Sequence, residues 1–184
     1  MASRVKDLSL CISSTTRSPR PSESPGTDYH FVDQQEFSRS IKDGLLLEWA
    51  EVHGHYYGTC LSEVLEAFEN GNDALLEIDV HGGKKVKTAY ARTVSVFLIA
   101  PSIEEIRKRL TARASDSEAE VKRRLARVRE ELLLSRHYDY LVVNKTVEKA
   151  VRQICEIISS ERSRLTTHKY QTLLDSFKEN VGGD

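Results

Sequence analysis

The sequence has too few residues of several kinds for some large classes of protein. Its three cysteines, Cys11, Cys60 and Cys155, are far apart and form no C-x-x-C pair, which excludes a disulfide framework and predicts a reduced compartment, the cytoplasm. The most apolar stretch, residues 94–100, is far too short to cross a bilayer. Neither sign of charge dominates, with 27 basic and 28 acidic side chains, so the sequence predicts no general attraction to nucleic acid or to a membrane.

The composition that remains is typical of a globular protein with a real core. With 184 residues, 39% hydrophobic and 30% charged, the chain has the size of one domain, and we expect a single domain over residues 1–184. Residues 161–184 are mostly polar and predict a helix that frays into disorder.

The second half of the chain alternates between strand-like and helix-like patterns. Short apolar runs predict strands at residues 74–80, 94–100 and 140–143. Apolar residues at helical spacing predict three helices, through Ile103, Ile106 and Leu110, through Val121, Leu125, Val128 and Leu132, and through Val147, Val151, Ile154 and Ile158. Ser102 with Glu105, and Ser115 with Glu118, have capping-box spacing. This order predicts an α/β fold, a parallel sheet with helices on both faces.

The first half predicts a smaller mixed module inserted into that scaffold. Residues 8–13, 29–32 and 45–52 are strand-like, and residues 35–42 predict a short helix that ends at Gly44.

The densest chemical signal is the segment Ser13-Ser14-Thr15-Thr16-Arg17-Ser18-Pro19-Arg20. Two guanidinium groups lie three residues apart beside hydroxyl groups and a proline. Arginine suits a phosphate site because its planar fork donates two parallel hydrogen bonds and stays charged. An isolated R-x-x-R is more often an exposed basic loop, and the neighbouring motifs decide between the two interpretations.

Four motifs follow one another in this chain: S-x-T-T-R-x-P-R from Ser13, E-x-A from Glu48, Y-Y-G-[ST] from Tyr56 and I-D-x-x-G from Ile78. In this order and at these intervals, over residues 8–161, the sequence resembles the guanylate kinase family. The resemblance implies a P-loop nucleoside monophosphate kinase-like parallel sheet, a mixed α/β GMP-binding subdomain within residues 8–80 and a helical lid at residues 107–127. It also implies the reaction, an ATP-dependent phosphorylation of GMP to GDP in purine nucleotide recycling, with GMP and ATP as the binding partners.

The resemblance assigns the GMP site residue by residue. It implies that the phosphate is bound by Arg17, Arg20, Tyr29 and Tyr57, and that guanine is read by Ser13, Glu48, Thr59 and Asp79. A buried carboxylate suits guanine, whose N1–H and exocyclic amine are donors, whereas adenine has no N1–H and would leave the charge unpaired. Taken alone, Tyr57 could be a core aromatic and Asp79 could cap the next turn.

On the ATP side, the resemblance implies catalytic arginines in the lid that stabilise charge during transfer: Arg109, Arg113 and Arg124. Taken alone, these arginine-rich segments could also be ordinary solvent-exposed helix faces. The resemblance also places Asn144 near the ATP base or ribose and implies that Arg109 and Arg113 contact ATP as well. The six histidines form no convincing metal site, so Mg²⁺ is expected to arrive with ATP.

One expected motif is missing. The family begins with a strand and a G-x-x-x-x-G-K-[ST] loop that cradles the ATP phosphates, and no such motif occurs in these 184 residues. The sequence therefore predicts poor stability and leaves open whether this chain as written transfers phosphate, and residues 1–6 suggest a start codon placed inside a longer reading frame. The alternative function is a non-catalytic guanylate-kinase-like module that binds GMP or phosphopeptides.

Overall fold

The computed structural model describes residues 5–52, 54–112, 118–166, 169–172 and 175. Its strands are β1 (Leu8–Leu10), β2 (Ser13–Thr15), β3 (His30–Phe31), β4 (Leu46–Val52), β5 (His55–Cys60), β6 (Asp73–Leu75), β7 (Val96–Ile99) and β8 (Tyr140–Val143). Its helices are α1 (Gln34–Lys42), α2 (Leu61–Glu69), α3 (Val80–Ala89), α4 (Ile103–Ala112), α5 (Glu118–Leu134) and α6 (Val147–Ser163), with a short 3₁₀ helix at Ser135–His137.

Two of the parallel strand pairs in the part of the chain that the structure describes form separate two-stranded sheets. Strand β1 pairs with β6, and β7 pairs with β8. The strand predicted at residues 140–143 is confirmed, and so are the helices α4, α5 and α6. The predicted α/β class is confirmed, as strands joined through helices run parallel.

The prediction of a strand over residues 74–80 is wrong beyond Leu75. Residues 76–79 have no regular structure, and Val80 is already the first residue of α3. The side chain of Asp79 accepts a hydrogen bond from the backbone N–H of Gly82 and so caps this helix, which ends the extended segment. Two glycines in its first turn hid α3 from the sequence pattern.

A four-stranded mixed sheet carries the motifs of the first half, in the order β3-β2-β5-β4. Its helix α1 ends as predicted, with Gly44 in the left-handed region at φ 67°. Strand β5 and helix α2 were not predicted, although Leu61, Val64, Leu65 and Phe68 have the helical spacing that could have revealed α2.

The core of this subdomain lies between α1 and the sheet. Phe37 of α1 is 1% exposed, and its ring stacks on Tyr56 of β5 with centroids 5.5 Å apart. Gly58, two residues along β5, leaves room for Phe37, whose ring would lie 3.1 Å from any added Cβ. Helix α1 therefore packs through Phe37 against one face of this sheet.

None of the helices within the described ranges is both long and apolar enough to span a membrane.

Candidate functional site

Three of the predicted guanine-reading residues lie side by side across three neighbouring strands. Ser13 of β2 and Glu48 of β4 are both in register with Thr59 of β5. The hydroxyl of Thr59 donates to Glu48 Oε1 at 2.9 Å, and Ser13 Oγ lies 3.4 Å from Thr59 Oγ1. The backbone N–H of Thr59 donates to the same Glu48 oxygen at 3.1 Å. The sheet pairing thus brings together residues separated by 46 positions in sequence.

The carboxylate of Glu48 is buried, with the residue only 6% exposed. Burial raises its pKa above the usual value, an effect that the two hydrogen bonds from Thr59 oppose and the nearby charge of Asp79 reinforces. Its second oxygen, Oε2, has no hydrogen-bond partner among the described residues. A buried acceptor held in place on one side and open on the other can receive an N–H donor from a ligand.

Asp79, the fourth predicted guanine reader, is half-buried at the start of α3. Its Oδ1 accepts from the Gly82 backbone N–H at 2.7 Å, so the capping role that the sequence left open is present. Helix α3 approaches Glu48 closely, because a Cβ placed on Gly82 would lie 2.6 Å from Glu48 Oε2 and 3.2 Å from Asp79 Oδ1. Gly82 therefore lets the two carboxylates share one small space, a role that the sequence motif alone did not indicate.

We expect Gly82→Ala to disturb this pair of carboxylates. The added methyl group would displace Glu48 from its bonds to Thr59, and overpacking of this kind costs about 1–3 kcal/mol, of which better helix propensity restores about 1. Thermal unfolding of the variant should begin at a lower temperature than that of the natural chain, and GMP should bind about tenfold more weakly.

Thr88→Ala provides the matched control, because Thr88 is exposed on the same helix. If Gly82→Ala melts no earlier than this control and binds GMP as well as the natural chain, the close approach of α3 to Glu48 is not important.

The four predicted phosphate ligands converge at the other end of the same strands. Arg17 Nε donates to Tyr57 Oη at 3.2 Å, and the Arg17 guanidinium lies 5.4 Å from the centre of the Tyr29 ring. The Tyr29 and Tyr57 rings meet edge to face with centroids 5.9 Å apart. Burial, followed by the charge of Glu77, raises the pKa of Tyr29, which keeps its hydroxyl protonated as a hydrogen-bond donor.

Sequence reasoning missed a fifth member of this group, Glu23. Its carboxylate accepts hydrogen bonds from both predicted phosphate-binding arginines, at 2.9 Å and 3.0 Å from Arg17 and at 3.1 Å from Arg20. It also accepts from the backbone N–H of Arg20 at 2.8 Å. These bonds, first that from Arg17, lower the pKa of Glu23 to about 2. An acidic residue three positions after R-x-x-R was a signal that could have identified it.

The predicted ATP-side residues are only partly placed. Arg109 of α4 donates to the backbone carbonyl of Asn144, just after β8, at 2.9 Å, and also pairs with Glu105. Asn144 Oδ1 is buried without a hydrogen-bond partner in the described residues. Arg124 is half-buried on α5, and Arg113 lies outside the described residues. Among the described residues the structure therefore joins Arg109 to Asn144, and the rest of the predicted lid set stays a prediction.

Within the described ranges, no group of three or more His, Cys, Asp or Glu side chains could hold a metal ion.

Comparison with known proteins identifies the family. The family model described as "Guanylate kinase" matches residues 2–161. The chain is 43% identical to a guanylate kinase of Caldanaerobacter subterraneus over 166 residues, 90% of this chain and 81% of that protein. It is 39% identical to a guanylate kinase of Thermotoga maritima over 180 residues, 98% and 86% of the two chains. The crystal structure of guanylate kinase from Anaplasma phagocytophilum superposes with a TM-score of 0.77 at 31% identity, covering 93% of this chain and 85% of that one. The sequence motifs, the fold and these relatives agree that the chain belongs to the guanylate kinase family.

Proposed function

We propose that this protein catalyses the ATP-dependent phosphorylation of GMP to GDP, as a cytoplasmic enzyme of purine nucleotide recycling. The observation that carries the proposal is the acceptor site, in which a buried carboxylate for guanine and two arginines for phosphate lie on adjoining strands and the loop after them. Family membership supports the same reaction. The wide spacing of the three cysteines in the sequence supports a reduced compartment.

At the acceptor site, each group has a distinct task. Glu48 Oε2 accepts from the N1–H and exocyclic amine of guanine, while Thr59 holds the carboxylate in place through Oε1. Arg17, Arg20 and the hydroxyl groups of two tyrosines hold the phosphate at the far end of the strands. Fixing the nucleotide at both ends positions one phosphate oxygen for reaction, and such positioning supplies most of the catalysis in phosphoryl transfer.

The transfer is an in-line displacement at the terminal phosphorus of ATP. An oxygen of the GMP phosphate forms a bond to the terminal phosphorus of ATP, and the bond from that phosphorus to the bridging oxygen breaks, so that ADP leaves. We assign Arg109, Arg113 and Arg124 to neutralising the charge on the phosphates, and the unpaired Oδ1 of Asn144 to accepting a hydrogen bond from the base or ribose. Mg²⁺ comes with ATP, held by phosphate oxygens and few protein groups.

One observation favours a second candidate, the binding of GMP or a phosphopeptide without transfer. These 184 residues contain no G-x-x-x-x-G-K-[ST] motif, whose backbone would cradle the ATP phosphates. A phosphopeptide, however, contains no guanine to bind the group of Ser13, Glu48 and Thr59, which is linked through the Thr59 hydroxyl. We therefore favour a nucleotide as the ligand and the kinase as the function.

The test is direct measurement of GDP formed from GMP, ATP and Mg²⁺ by this chain, with AMP as the matched acceptor. We expect GDP to form, and AMP to be phosphorylated at least about 100-fold less efficiently, because adenine has no N1–H and would turn the acceptor N1 toward the Glu48 carboxylate. Tight GMP binding with no GDP formed would remove the catalytic half of the proposal and leave the binding module.

A further inference from the structure

We propose that Glu23 is a positioning residue that fixes the phosphate clamp, by which we mean Arg17, Arg20 and Tyr57, in the form that receives the GMP phosphate. This inference rests on the proposed function, because it concerns how the same site holds its acceptor. It goes beyond the four expected ligands by naming a group that does not touch the phosphate and by dividing the work between the two arginines.

The Glu23 carboxylate links the two arginines of the phosphate clamp. Glu23 Oε1 accepts from Arg17 Nη2 and Arg20 Nη1, and Oε2 accepts from Arg17 Nη1 and the Arg20 backbone. Its side chain is only 12% exposed, and that of Arg17 is 14% exposed. Two guanidinium groups this close repel each other and each loses rotamer entropy when ordered, so a shared carboxylate stabilises the arrangement before any ligand arrives.

In the part of the chain that the structure describes, Arg17 and Arg20 keep different numbers of N–H donors for a ligand. Arg17 has five N–H groups. Four of them are engaged, by Tyr57, by the Ser18 carbonyl and twice by Glu23. Among the described residues, Arg20 makes one side-chain hydrogen bond, through Nη1 to Glu23, and its side chain is 38% exposed. Arg20 thus keeps the free fork that can bind phosphate in a bidentate manner, whereas Arg17 keeps a single N–H and its charge.

Glu23 also influences the hydroxyl of Tyr57, through Arg17. Arg17 Nε donates to Tyr57 Oη, so the oxygen acts as an acceptor in that bond and its own hydrogen must point elsewhere. Glu23 holds Arg17 in the orientation that makes this bond. In this way a carboxylate acts through one arginine to leave the tyrosine hydroxyl as a donor for the phosphate.

Glu23→Gln tests the inference, because glutamine keeps the shape but presents an amide N–H₂ to an arginine and loses the charge. Equilibrium titration of the full chain should show GMP binding about tenfold or more weaker than in the natural chain, with guanosine binding unchanged because guanosine lacks the phosphate. Glu23→Asp, which keeps the charge on a shorter stem, should recover part of the GMP affinity.

Asp28→Asn is the matched control, since Asp28 is in the same loop and, within the described ranges, its carboxylate accepts from the Ser24 backbone alone, at 2.8 Å. It should bind GMP like the natural chain. Equal or tighter GMP binding by Glu23→Gln would overturn the inference and show that Glu23 merely competes with phosphate for the arginines. Loss of guanosine binding as well would overturn it in favour of a general structural role. If the natural chain binds no GMP at all, the proposed function itself fails, and this inference fails with it.

Discussion

Glu48→Gln is expected to weaken GMP binding by about 100-fold to 1,000-fold while leaving the unliganded protein as stable as before, or more so. The loss of affinity follows from chemistry, since a glutamine whose oxygen stays bound to Thr59 turns an uncharged amide N–H₂, itself a donor, toward the two donors of guanine. A charged hydrogen bond to a buried partner contributes about 1.5–3 kcal/mol, and Glu48 can form two with guanine.

The stability of this variant follows from the raised pKa of Glu48. Burial raises this pKa above its value in the unfolded chain, so the folded state binds the proton more tightly, and the ionised carboxylate destabilises the fold near neutral pH. That cost diminishes as the pH falls through the raised pKa. Glutamine removes the buried charge, and its Oε1 can still accept both hydrogen bonds from Thr59.

Thermal unfolding and GMP titration of the same sample provide the measurement, with Glu51→Gln as the control. Glu51 is an exposed residue of the same strand, so its replacement should change neither property. A variant Glu48→Gln that unfolds much earlier than the natural chain would show that this carboxylate is a structural group. Unchanged GMP affinity would show that it does not read guanine.

Arg20→Ala is expected to reduce the affinity for GMP by about 100-fold and to leave guanosine binding unchanged. Arg20 retains most of its guanidinium donors for a ligand, and two charge-assisted hydrogen bonds to phosphate contribute about 3 kcal/mol together. The fold should be little affected, because Glu23 keeps its paired hydrogen bonds to Arg17 in the variant.

Arg39→Ala is the control for net charge. Arg39 lies exposed in the last turn of α1, so its removal changes the total charge equally without touching the clamp. Equal weakening by both variants would mean that a diffuse electrostatic field attracts GMP, and that Arg20 makes no specific contact.

The sequence predicted the class of fold better than it predicted the geometry of the candidate acceptor site. Helices such as α4 and α6 were visible because their apolar residues recur at helical spacing and their first turns contain caps, as the bond from Glu105 N–H to Ser102 Oγ at 3.1 Å shows. Local periodicity is enough for such elements because they carry their own hydrogen bonds.

Arrangements that depend on partners distant in sequence could not be predicted in this way. The alignment of Ser13, Glu48 and Thr59 follows from the pairing of β2, β5 and β4, and no local pattern specifies that register. The role of Gly82 depends on how closely α3 approaches Glu48, a distance that only the folded chain defines. Glu23 was within reach of sequence reasoning but is identified only by the bonds that it makes.

The measurement that tests the account most directly is a calorimetric titration of the 184-residue chain with GMP and, in parallel, with AMP. We expect saturable binding of one GMP per chain and AMP binding at least about 100-fold weaker, because Glu48 meets two donors on guanine and no N1–H on adenine. Equal affinity for the two nucleotides, or no binding of GMP, would contradict the assignment of this site.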